Sequence, residues 1–399
     1  MAEIRHSRAD FALGASHALR RWQRPAMIGG GAGVVLSILG ALIWPIQFFQ
    51  AWLVSYMFWL GMALGSMGIL MLQFITGGRW GAALRRPLEA GASTVPLMAL
   101  LFVPIAIGMR ALYEWADPSI VAHDPILQHK SPYLNPTFFV IRAILYFAVW
   151  TVLARKLVAW STLQDEQGHS DRLGRNFHFL SRGGLMLYAL TMTFAAIDWA
   201  MSLESHWFSH IYGILVTGGQ ILTAMTAMIA VSSMLSQERG AAKVLTPERF
   251  HDLGKLLLAF IMVWAYFHLS QFLIMWSANL PEEVPWYAAR TTGGWKAVTI
   301  LLVLSHFVLP FIVLLSRQVK RDPRALGMVA AAMVVVRFID LYWLITPSFS
   351  PGDFTLHPLH LTTLVGIGGI WAYAFLGNLV GKPVIAFNDP IIAVELEKA

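Results

Sequence analysis

The chain has 399 residues, 57% of them hydrophobic and only 13% charged, with a net charge of +7 and no cysteine. A soluble protein of this size carries roughly 25% charged residues, so the composition excludes an ordinary soluble domain and points to a polytopic membrane protein. The missing cysteines exclude thiolate-held iron–sulfur clusters, cysteine-ligated zinc and disulfides on this chain.

Residues 1–25 are polar and basic, with Arg5, Arg8, Arg20, Arg21 and Arg24. They lack the short apolar core and small-residue cleavage site of a signal peptide and read as a cytoplasmic tail. Residues 11–22 allow an amphipathic surface helix. About 20 apolar residues cross the hydrocarbon core as helix, and ten such spans are predicted at 26–48, 51–75, 91–113, 136–160, 183–203, 211–236, 252–277, 295–316, 325–346 and 358–381. Residues 382–399 form a C-terminal tail. Small residues in GGGAG (29–33) and GMALGSMG (61–68) lie inside spans and read as close helix packing.

Most of the 29 Lys and Arg fall on one side of these spans, in the N-terminal tail and in the linkers near Arg85, Arg175, Lys243 and Lys320. The other side holds only Arg110, Lys130, Arg142, Arg290 and Lys296. The positive-inside rule then makes both termini cytoplasmic, in agreement with an even number of spans. The net charge is accounted for by orientation and anionic lipid, not by nucleic acid. Two longer connections on the sparse side, 114–135 and 278–294, are rich in Pro, Trp and Tyr. DPSIVAHDPILQHKSPYLNP is too broken for regular helix and too apolar for a loose tail. It fits either a docking surface for an extracytoplasmic partner or a cap packed on the bundle itself.

Five ionisable residues fall between mid-bilayer and the outer third: Asp198, His268, His306, Arg337 and Asp340. An ionised Asp at the centre of a span costs on the order of 3 kcal/mol, so its presence needs a partner, a water path or a proton. Arg337 and Asp340 are i,i+3 neighbours and can pair. Asp198 has no basic residue at i±3 or i±4, so its partner comes from another helix or it is protonated. Together the five read either as charges that pair or as the carboxylate and imidazole groups of a proton relay. Glu204, His206 and His210 continue outward from Asp198, while Tyr188, Thr191 and Ala195 lie beneath it at helical spacing. Ile197-Asp198 and Ile339-Asp340 occupy corresponding depths in spans five and nine, as two four-span units (two to five and six to nine) would require. His268 with His306 offers one candidate pair for a b-type haem, and no span carries the two deep histidines of a stacked two-haem arrangement.

The segments IDWAMSLESHWFSHIYG, YFHLSQFLIMWSANLPEEVPWY and RFIDLYWLITP, set on ten spans without cysteine, resemble the NrfD/polysulfide-reductase-like membrane subunits. They look most like those of alternative complex III, a bacterial quinol:electron-acceptor oxidoreductase, and the compact length looks more like its ActF-type than its ActC-type subunit. The resemblance implies an all-α fold of two four-helix bundles flanked by the first and last helices, in the bacterial cytoplasmic membrane. It implies as partners an ActC-type sister subunit, an iron–sulfur subunit, cytochrome c subunits and small membrane anchors, with iron–sulfur clusters and haem c on those partners and none on this chain. The implied role is a proton path beside quinol oxidation. Carried onto this chain, the path residues would be Asp198, His268, His306, Arg337 and Asp340, with Glu204 and His210 toward the outer face and Tyr188 inward. The competing expectation is a quinone- or menaquinone-binding subunit in which His268 and Asp198 flank the ring. A secondary transporter is a third reading, weakened because the two Asp residues sit in the same membrane half, which suggests parallel and not inverted repeats.

Overall fold

In the computed structural model, residues 19–237 and 244–380 are described, with Ala241, Pro383, Ala386, Asn388, Asp389 and Ile392. The tail residues Arg5 and Arg8, most of the expected surface helix, and Lys243 lie outside the described residues. The protein is an all-α integral membrane protein. Among the described residues ten helices are long and apolar enough to cross a membrane: α1 (Arg20–Ile43), α2 (Pro45–Thr76), α3 (Ala83–Ile107), α4 (Pro136–Gln167), α5 (Asp171–Leu203), α6 (Tyr212–Leu235), α7 (Pro247–Ala278), α8 (Trp295–Leu315), α9 (Pro323–Ser348) and α10 (Pro358–Leu379). The start of α1, the end of α10 and the Arg/Lys-rich connections between the helices share one face, the basic face; the opposite one is the far face.

Several helices outrun the apolar stretches that announce them, because a helix continues until a residue can stop it. The side chain of Asn135 accepts the Phe138 N–H at the head of α4, with Pro136 in the first turn, and Gly168 ends the helix at φ +84. Ser170 caps α5 in the same way through the Leu173 N–H. The third helix departs most from expectation. It enters from the basic face well before residue 91 and breaks at Ser93-Thr94, where Pro96 cannot donate to Ala92, and again before Pro104. Arg85, Arg86 and Glu89 are thereby carried into the protein instead of lying in a linker.

Helix α2 is apolar on every side and almost wholly buried, the pattern of a central helix. It packs against α6, and these two form the seam between a group of α2–α5 and a group of α6–α9. A Cβ on Gly65 would lie 2.2 Å from the Gln220 carbonyl oxygen, so only glycine permits this approach. Helices α1 and α10 pair with each other through Gly30, Gly33, Gly366 and Gly369 and lean as a unit on α2. Both small-residue segments thus serve close helix packing.

The far-face connection that follows α3 is not structureless. Asp117 and Asp124 each cap a short helix that begins with proline, Pro118–Val121 and Pro125–Lys130. Its own Trp115, Leu127 and Leu134 are buried, and Lys130 Nζ donates to the Ser205 carbonyl at 2.5 Å. The second connection contributes the helix Val284–Thr291, with Trp286 stacked on Trp207 at 4.7 Å. Within the chain, both connections act as lids packed on the bundle.

Candidate functional site

The five deep ionisable residues divide into two clusters, one in each helix group. Asp198 on α5 is fully buried and receives Nε and Nη2 of Arg142 on α4, each at 2.8 Å. The Tyr146 hydroxyl donates to the same carboxylate at 2.9 Å. Arg142 in turn donates to the Tyr133 carbonyl at 2.9 Å and stacks under the Tyr133 and Phe138 rings at 3.9 and 4.5 Å. Both carboxylate oxygens and most of the guanidinium are engaged, so this is a closed bidentate pair. Spacing along α5 could not reveal it, because the partner lies 56 residues away on another helix.

The second cluster is built on α9. Arg337 and Asp340 pair through Nη1 and Oδ2, as the i,i+3 spacing requires. Arg337 Nε also donates to Thr223 on α6 at 3.1 Å, and Gly219 leaves room for the guanidinium. Trp264 of α7 donates Nε1 to Asp340 Oδ2 at 3.3 Å. The Trp264 ring is stacked between two imidazoles, His306 of α8 at 3.7 Å and His268 of its own helix at 4.2 Å between centroids. Trp264 therefore fills the space that a macrocycle held by His268 and His306 would need. His306 sits on a π-helical turn, Val303–Val308, just ahead of Pro310. Proline at that position lacks an N–H and clashes with the carbonyl four residues back, that of His306, so the turn widens and re-aims the imidazole.

This cluster is not closed. His268 Nδ1 lies 3.1 Å from the Trp264 carbonyl, and a carbonyl can only accept, so Nδ1 carries the hydrogen. In the neutral ring Nε2 is then a bare lone pair, and it faces Asp340 Oδ1 at 3.6 Å. Neither atom has a hydrogen-bond partner among the described residues, and the same holds for His306 Nδ1. Two buried acceptors facing each other form a site that one added proton would complete.

The remaining expected residues are placed elsewhere. Glu204 does not extend a path from Asp198: it is locked to Arg290 at 2.8 Å and accepts from Ser348 at 2.7 Å. Arg290 also donates to the Leu344 and Trp286 carbonyls and lies 3.7 Å over the Trp286 ring. Burial draws its guanidinium below the ordinary value, and Glu204 opposes that shift. His206 bonds Asp124 at 2.7 Å at the surface, while His210 is exposed against Phe208. Thr191 accepts from Trp150 at 2.8 Å. Tyr188 turns away from Asp198 and donates to Gln220 of α6 at 2.9 Å, which joins it to the neighbourhood of the second cluster.

Two functional groups escaped the sequence reading. Gln220 was legible as a lone amide within the apolar run of span six. The other is a buried network at the basic face: Arg85 pairs with Glu89 at 2.9 Å and Asp389 at 2.8 Å, Arg86 pairs with Glu89 at 2.6 Å and Asp165 at 2.5 Å, and Ser161 and Gln164 bridge them. Its signal was the RRPLE segment, where Glu89 follows Arg85 and Arg86 at i,i+4 and i,i+3. Among the described residues no group of three or more His, Asp or Glu side chains is arranged to hold a metal ion. No protein-family model matches this chain, and no curated protein matches it.

Proposed function

We propose that this chain is a proton-handling membrane subunit of a quinol:electron-acceptor oxidoreductase of the alternative complex III type, with Asp340 and His268 as the proton-loading pair. The observation that carries the proton-handling role is the 3.6 Å gap between His268 Nε2 and Asp340 Oδ1, two buried atoms that have no hydrogen-bond partner among the described residues. A proton arriving there lodges on His268 Nε2 and binds the two groups together; its departure restores two neutralised neighbours, since Arg337 balances the carboxylate in either state. The resemblance of the three segments supports the assignment to that complex and, with it, an ActC-type sister subunit, iron–sulfur and cytochrome c subunits and small anchors as partners. In this reading the basic face is cytoplasmic, the membrane is the bacterial cytoplasmic one, and electrons travel on the partners. The closed Asp198–Arg142 pair supports a structural role for the first cluster.

The test is proton translocation in membrane vesicles driven by a short-chain quinol. Asp340→Asn and His268→Gln should assemble, turn over electrons and lower the proton-to-electron ratio. An unchanged ratio in both variants would sink the reading.

A second reading, a quinone-binding subunit, draws on one observation. A cavity of about 390 Å³ lies on the far face beside Lys130, Tyr133, Ile197 and Trp207, within the size range of small-molecule sites. The ring would not lie between His268 and Asp198, which belong to separate clusters. Labelling of Tyr133 or Lys130 by a photoreactive quinone, competed by unlabelled quinone, would favour this reading.

A further inference from the structure

Between α2, α6 and α9 lies a second, much smaller cavity, of about 20 Å³, walled by Gly61, Gln220, Thr223, Arg337 and Asp340. One water occupies roughly 10–15 Å³ by this measure and needs two to four polar partners. The walls supply them. The Gln220 carboxamide is fixed by Tyr188, which donates to Oε1 at 2.9 Å. Its NH2 group can donate twice, yet among the described residues it makes one bond, to the Met192 sulfur at 3.3 Å, and sulfur is a weak acceptor. Asp340 stands opposite. The imidazoles of His268 and His306 are not in this wall, so Asp340 separates the cavity from the histidine pair.

We infer that this cavity is a water site through which the first helix group feeds protons to Asp340, with Gln220, pinned by Tyr188, positioning the water. The inference rests on the proton-handling reading and names its entry side. A proton that reaches this water from the Ser181 side is passed to the Asp340 carboxylate, which hands one on to His268 Nε2, so the water and the carboxylate are left unchanged. Gln220 and Tyr188 keep their own protons throughout. The seam between the two helix groups is thus part of the route. Ser181, two turns from Tyr188 toward the basic face on α5, carries a buried hydroxyl with no partner among the described residues and continues the same stripe.

The experiment measures quinol-driven proton uptake and its pH profile in membrane vesicles, with the whole complex assembled. Gln220→Leu should slow uptake by about tenfold or more, toward the range that a positioned proton-transfer group supplies. Gln220→Glu, which keeps an acceptor for Tyr188 and a polar edge on the cavity, should restore it with a shifted pH profile. Gly61→Ala tests the water independently. The added methyl meets Gln220 Cγ at an ordinary 3.4 Å and narrows the cavity, so it should slow uptake without unfolding the protein. Wild-type uptake in Gln220→Leu and Gly61→Ala, together with loss in Asp340→Asn, would overturn the cavity route and leave the proton-handling reading standing. Wild-type uptake in all three would overturn both. Loss in Gln220→Leu without rescue by Gln220→Glu, with Gly61→Ala unaffected, would mark Gln220 as merely structural and overturn the inference.

Discussion

His268 Nε2 and Asp340 Oδ1 face each other across 3.6 Å, neither with a hydrogen-bond partner among the described residues, while Asp198 and Arg142 meet through two hydrogen bonds of 2.8 Å. One buried carboxylate keeps an oxygen without a hydrogen-bond partner among the described residues, and the other has both oxygens engaged. The two deep carboxylates are therefore held differently, and mutation can address each one separately.

Breaking the Asp198–Arg142 pair should be a stability event. Arg142→Met alone leaves a buried carboxylate with only Tyr146 and is expected to cost about 3–5 kcal/mol. The double variant Arg142→Met, Asp198→Leu should recover most of that loss, because a buried ion pair is replaceable by apolar groups of similar volume. Melting of the purified protein in detergent reads this directly. The double variant should also retain proton coupling; a loss of coupling in a well-folded double variant would return Asp198 to the path.

The π-helical turn at Val303–Val308 is expected to depend on Pro310. Pro310→Ala supplies the missing N–H and permits a regular helix, which rotates His306 off the Trp264 ring. Assembly and melting should be kept or improved, and coupled proton movement should fall. Equal coupling in the variant would show that the orientation of His306 is immaterial.

The approach of α2 to α6 at Gly65 should tolerate no side chain. Gly65→Ala places a methyl 2.2 Å from the Gln220 carbonyl oxygen, which cannot yield as a flexible side chain would. Overpacking of this kind costs about 1–3 kcal/mol, and here it should also displace Gln220. Lower melting temperature with reduced coupling is the expected pair of results. Gly29→Ala, with nothing within 4 Å, is the control and should change neither.

The far-face lid should be sensitive to acid at Asp124. Burial pushes this carboxyl up, but backbone N–H donation from Leu127 and Ile126 and the neighbouring His206 outweigh it and hold the group below its ordinary value. A lowered folded value means that the cap contributes stability above the unfolded pKa of about 3.9 and loses it as pH falls through the folded value. Exchange protection of the Ile126 and Leu127 amides, corrected for intrinsic rate, should therefore collapse on the acid side. Asp124→Asn keeps an acceptor that does not titrate, so its protection should be flat over the same window.

The ten spans and the i,i+3 pair of Arg337 and Asp340 were legible locally. Apolar length marks a helix that must cross hydrocarbon, and helical spacing fixes which neighbours on one helix can meet. The limits of that legibility are seen in α3. Hydropathy begins the span after Glu89, whereas the helix starts earlier and takes Arg85, Arg86 and Glu89 inside, where Asp165 and Asp389 neutralise them. A polar residue lowers hydropathy whether it meets water or a buried counter-charge, so the two cases look alike in a sequence.

What the sequence by itself determined is that Asp198 and Asp340 lie deep in apolar helices and need a reason to be there. Only the tertiary structure decided the reasons, because each depends on how one helix is rotated against another. Arg142 closes on Asp198 from the next helix in the chain, Glu204 is drawn to Arg290 in the far-face lid, and Tyr188 reaches Gln220 across the seam. Periodicity along one helix gives the angle between its own side chains; it carries no information on the rotation of the partner 30 to 90 residues away that supplies the other half of each contact.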